Sequence, residues 1–141
     1  MNVTDHPTAA WTARQILEAF PGDVPRLLLH DRDGIYGWGF DRMMKVLEIR
    51  QIRSAPRSPW QNAYVERVIG SIRRECTDYL IPFGQRHLLR KLSEYVEYYN
   101  TARPHRSLDR NSPIPRDVEA VGEVCAKPVL GGLHHRYFRA A

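Results

Sequence analysis

Ser58-Pro59-Trp60-Gln61-Asn62-Ala63-Tyr64-Val65-Glu66-Arg67 is the stretch on which the reading of this chain turns. Pro56 and Pro59 make residues 55–60 a loop. From Asn62 onward Val65, Val68, Ile69, Ile72, Cys76, Tyr79 and Leu80 fall on one helical stripe, so a long helix is expected here, ended by Pro82. Glu66 lies in its first turn or two, on a face shared with Asn62 and Arg73 and apart from the apolar stripe. A glutamate at that place also suits the positive end of a helix dipole with no further role. Its meaning therefore depends on what surrounds it.

Upstream, Arg26-Leu27-Leu28-Leu29-His30 is a short apolar run after Pro25, read as a buried strand of the parallel-sheet kind. Asp31-Arg32-Asp33-Gly34 is then a loop at the strand's C-terminal end. Acids at that edge of a sheet are placed to face a crevice, although an Asp-Gly pair equally forms an ordinary turn. Phe40, Met43, Met44, Leu47 and Ile49 suggest a helix from about residue 38 to 48, and Arg50–Ser54 a short extended piece. Nearer the start, Ala10, Trp11, Ile16, Leu17 and Phe20 recur at helical spacing behind Thr8, a suitable N-cap. Asn2-Val3-Thr4 reads as the end of a strand.

Downstream, Leu88, Leu89, Leu92, Tyr95, Val96 and Tyr99 mark a helix over residues 86–100, and Arg103–Leu108 breaks helicity. Beyond about residue 109 the chain is richer in Pro and Gly and reads as a tail, with a turn and a short strand near Gly131–Phe138. Strands alternating with helices indicate an α/β fold.

Asp31 and Glu66 are separated by 34 residues. This arrangement resembles the integrase core of insertion-sequence transposases and retroviral integrases, the DDE group, whose last two catalytic acids lie about 35 residues apart. The Ser58–Arg67 stretch is similar to the family's Ser-Pro, Asn and Glu-Arg segment, and Gly70-Ser71-Ile72-Arg73-Arg74-Glu75-Cys76 is similar to the segment C-terminal to it. Tyr98-Tyr99-Asn100-Thr101-Ala102-Arg103-Pro104-His105-Arg106-Ser107-Leu108, with Pro113 soon after, is similar to the family's Tyr-Asn-x-x-Arg-Pro-His-x-Ser-Leu signature.

The resemblance implies an RNase H-like fold in which three carboxylates hold two Mg2+ or Mn2+ ions for in-line attack on phosphorus. It implies that Asp31 and Glu66 are catalytic and metal-binding. Asp33 is the alternative to Asp31, because Gly34 falls one position later than the family pattern. It also implies DNA as partner, with Asn62, Arg67, Arg73, Arg74, Arg103 and His105 near the backbone. The family's first Asp lies several tens of residues before the second, which is upstream of Met1, and Asp5, Glu18 and Asp23 match no first-strand motif. The expectation is a partial integrase core over residues 1–116 with an incomplete sheet, its first strands missing and an edge exposed. Residues 117–141 are expected to form a tail.

Such a chain is expected to transfer no strands by itself. Two other function classes compete. One is a non-catalytic DNA-binding or regulatory fragment that assembles with a full-length transposase or as a homo-oligomer. The other is a nuclease with a rearranged site, its third acid drawn from Asp33, Asp41 or Glu75. The formal net charge of +5 and pI near 9.5 favour a polyanionic partner. No run reaches the roughly 18–20 apolar residues of a membrane helix. Two distant cysteines, Cys76 and Cys125, fit a reduced cytosol, which the resemblance implies is a bacterial cytosol or nucleoid; with His134 and His135 they match no standard zinc set. Trp60 is read as packing its loop.

Overall fold

Thr8 begins the first helix as its sequence predicts. Its backbone is extended and its hydroxyl accepts the Trp11 amide at 3.2 Å, satisfying one of the free N–H groups of α1 (Ala9–Ala19). The computed structural model describes residues 1–117 and 119–140, and the chain forms two compact units, residues 1–71 and 72–141.

In the first unit, β1 (Leu27–His30) and β2 (Arg50–Arg53) pair in parallel, from Leu27 opposite Arg50 to His30 opposite Arg53. A parallel pair needs a crossover, and α2 (Trp38–Val46) supplies it. Phe40 and Met44 of α2 are fully buried with Ala13 of α1 and Ile49, and Ile16, Val24, Leu28, Tyr36 and Leu47 pack around them.

Three local expectations are corrected here. The strand at residue 27 is not buried on both faces: Leu27 and Leu29 are 54% and 36% exposed, whereas His30 on the alternate face is buried. With two strands in the sheet, only the face turned to α1 and α2 is covered. Residues 2–4 form no strand, and the Asn2 amide instead donates to Gln15 and Glu18 of α1. The helix expected to run to residue 48 ends at Val46, because Glu48 takes a left-handed backbone (φ 57°). The Ile49 amide then returns to the Met44 carbonyl at 2.9 Å, a Schellman-type closure.

Helix α3 (Ala63–Glu75) comes after a short 3-10 turn, Pro59–Asn62. It stops seven residues before Pro82, where Cys76 leaves helical geometry (φ −137°, ψ −66°) and a 3-10 turn Thr77–Tyr79 takes over. Of the expected stripe only Cys76 is fully buried, while Val65, Val68 and Ile69 are 46%, 41% and 52% exposed. Their spacing marks a helix correctly but does not name a partner for its apolar side. Trp60 likewise does not pack its loop, being 71% exposed.

In the second unit, α4 (Gln85–Thr101) carries a hairpin of β3 (Glu123–Val129) and β4 (His134–Ala140), antiparallel from Glu123–Ala140 to Val129–His134. The reversal uses positive φ at Leu130, Gly131 and Gly132, where glycine has no Cβ penalty. The stretch read as a tail with one short strand therefore holds two seven-residue strands. The hairpin is fixed to α4 by the Leu130 amide, which donates to the Glu94 carboxylate, and by the His134 ring, which stacks on Tyr98 at 4.8 Å.

Truncating Met44 tests the first core. Met44→Ala is expected to lower unfolding stability by about 2–5 kcal/mol. Val46→Ala, at a position 72% exposed, should stay within about 0.5 kcal/mol. Urea titration of both variants measures the contrast.

Candidate functional site

The C-terminal edge of the parallel sheet is built on a buried histidine. His30, the last residue of β1, donates from Nδ1 to the Asp31 carbonyl at 2.6 Å, and its Nε2 lies 3.0 Å from the Gln51 side-chain oxygen. Its ring packs on Tyr36 and against the edge of Phe40. Asp31 comes next, exposed, with Oδ1 accepting the Asp33 amide at 3.1 Å. Asp33 in turn caps the 3-10 turn Gly34–Tyr36 through the Ile35 amide at 3.0 Å. Burial first, then the charges of Asp31 and Asp33, raise the Tyr36 phenol above its ordinary pKa.

One bond ties this edge to the loop leading into α3, and a second closes that loop on itself. Arg32 Nε donates to the Ser54 carbonyl at 3.2 Å, and the Ala55 amide donates to the Gln61 side chain at 2.7 Å. Glu66 stands in the first turn of α3, exposed, with Arg67 beside it, also exposed. Asn62 is half-buried in the preceding turn. Sequence reasoning passed over His30. Its signal was alternation: two positions beyond Leu28 on a strand, it shares the covered face.

In residues 72–141 a second polar cluster gathers around Glu75. Arg103 Nη2 and Nε donate to its two carboxylate oxygens at 2.6 and 2.7 Å, and the Tyr95 hydroxyl donates to one of them at 3.0 Å. The guanidinium lies over the Tyr99 ring. Arg103 holds the Glu75 carboxyl below its ordinary pKa against the opposing pull of burial, with help from Tyr95. Burial, and then Glu75, push the Tyr95 phenol up. His105 is buried, its Nε2 donating to the Tyr99 carbonyl at 3.1 Å.

A family model described as an integrase core domain matches residues 47–113, just under half of the chain. Residues 47–113 are thus similar to an integrase core domain. The match holds β2, α3, α4 and the loop through Pro113, and with them Glu66, whereas Asp31 precedes it. No curated protein matches the chain. The mixed α/β architecture with small sheets is consistent with an integrase core. The family acts on DNA and is generally dependent on divalent metal. Among the described residues no helix is long and apolar enough to cross a membrane.

Within the matched residues the expected basic residues divide into two groups. Arg67 and Arg74 are exposed on α3, and Arg73 is exposed with a loose pairing to Asp78 at 3.6 Å, of little energetic weight. Arg103 and His105 are engaged inside their own unit by Glu75 and Tyr99. Asp31 and Glu66 offer the hard oxygen donors that Mg2+ or Mn2+ takes. Among the described residues, however, no three His, Cys, Asp or Glu side chains gather to hold a metal. The rearranged nuclease site is corrected on this point: Asp41 pairs with Arg53 at 3.2 Å, Glu75 with Arg103, and Asp33 caps a turn.

The Glu75 pairing predicts a pH dependence. A carboxyl whose folded pKa is depressed adds stability that is present above its unfolded pKa, about 4.3. That stability is lost as pH falls through the folded value. Denaturant midpoints tracked from pH 7 down to the acid limit should therefore fall less steeply below about pH 4.3 in Glu75→Gln than in the unsubstituted chain. The variant should also be the less stable of the two at pH 7, since Arg103 loses its partner.

Proposed function

We propose that this chain is a DNA-binding protein of the integration and transposition class, whose own carboxylates do not complete the metal-dependent phosphoryl-transfer site of an integrase. The observation that carries this reading is the integrase core match over residues 47–113, which includes a helix whose arginines 67, 73 and 74 are exposed. Phosphate neutralisation by these groups gives affinity without sequence reading. Asp31 and Glu66 are the two acids that face the bound backbone in this reading, and Asn62 orients the start of α3. Arg103 and His105 act as positioning residues that brace the fold of residues 72–141. No strand transfer by this chain is expected in this reading, since no three carboxylates gather among the described residues.

A second reading has the chain assembling with a full-length transposase. The apolar flank of α3, with Val65, Val68 and Ile69 exposed beside Tyr64 at 87%, favours it.

Duplex binding by the purified chain, measured by fluorescence anisotropy over a salt series, tests the first reading. Binding should weaken as salt rises, and Arg67→Gln with Arg74→Gln should reduce the salt slope by about 2. No nicking is expected with Mg2+ or Mn2+. Metal-dependent nicking that Glu66→Gln abolishes would overturn the claim of an incomplete site.

A further inference from the structure

The C-terminal hairpin sets two cations against each other. Lys127 and Arg136 are direct cross-strand partners in the β3–β4 ladder, so their side chains leave the same face with Cβ atoms about 5 Å apart. Like charges in that relation destabilise a hairpin. Both residues are exposed, and among the described residues neither enters an ion pair.

The same strand borders a cavity of about 520 Å³, which Arg136 shares with Arg110, Arg116 and Arg139. Arg116 donates from Nη1 to the Tyr137 carbonyl at 3.3 Å, and Arg139 from Nη1 to the Gly122 carbonyl at 2.8 Å. Each bond occupies one guanidinium nitrogen and leaves the others available. Three carboxylates, Asp109, Asp117 and Glu119, line the cavity as well. Glu119 is already engaged, accepting the Arg139 amide at 2.6 Å.

We propose that the β3–β4 hairpin is a second DNA-contact surface. Lys127 and Arg136 bracket a backbone phosphate, and Arg136 carries the contact to the cavity it borders. The inference rests on DNA as the partner and adds a surface outside residues 47–113. A phosphate between the two cations turns their mutual repulsion into shared attraction and releases condensed counterions. The contact positions DNA and reads no bases.

The test uses the full chain and a short labelled duplex, with affinity measured by anisotropy over a salt series. Lys127→Gln with Arg136→Gln should weaken binding several-fold at low salt and reduce the salt slope by about 2. Arg136→Lys should retain the slope, since the charge stays. Far-UV circular dichroism of all variants should match that of the unsubstituted chain, both positions being exposed. Unchanged affinity and slope in the double variant would overturn the hairpin surface. If Arg67→Gln with Arg74→Gln still weakened binding in that case, the DNA reading would stand without it. An unsubstituted chain that binds no duplex at low salt would sink both.

Discussion

Glu75 joins three parts of its unit. Its carboxylate takes both arms of the Arg103 guanidinium and the Tyr95 hydroxyl, so it binds the end of α3 to α4 and to the loop after α4. Its main-chain carbonyl accepts His134 Nε2 at 2.7 Å, which brings the hairpin to the same point. A half-buried ion pair contributes modest net energy, because desolvation offsets the attraction. Its larger effect is geometric. A planar guanidinium bonded twice to one carboxylate allows few arrangements, and Tyr99 beneath it removes more. The loop from Arg103 is then free to close on itself, with the His105 amide on the Asn111 carbonyl at 3.0 Å.

That geometry bears on chemistry. A carboxylate whose oxygens both hold a guanidinium is a poor candidate for a hard cation, which would have to displace Arg103. The same competition operates in the first unit, where Arg53 neutralises Asp41. Asp31 and Asp33 are alike: each accepts one turn amide through Oδ1, and both side chains stay exposed. Glu66, in the first turn of α3, is exposed too. Asp41 and Glu75 are thus held by arginines, whereas Asp31, Asp33 and Glu66 stay exposed.

Local features were legible because local physics decides them. Thr8, Pro25 and Asp33-Gly34 place the ends of elements, and helical periodicity places α1, α2 and α4 within one to two residues. What the sequence hid was partnership. An arginine bound to DNA, one in solvent and one gripping Glu75 read alike along the chain, and Glu75 lies 28 positions before Arg103. The stripe on α3 looks the same whether another element covers it or not. Pro128 and the glycines at 131 and 132 made the hairpin read as a tail. Proline is compatible with an edge strand, and in a two-stranded sheet both strands are edges.

Helix α3 brings two unlike surfaces onto one element. Arg67, Arg73 and Arg74 are exposed, and so are Tyr64, Val65, Val68 and Ile69. Cations on the last turn suit the negative end of the helix dipole and Glu66 suits the positive end, so the charge pattern alone has a sufficient structural cause. The apolar side has none: leaving such residues in water forgoes about 25 cal/mol for each Å² left uncovered. Salt separates the two properties physically. Phosphate contacts weaken steeply as ionic strength rises, while apolar association persists, because screening acts on charge and not on buried area. A complex of this protein that survives high salt is therefore held by the apolar flank, and one that dissolves with salt is held by the arginines.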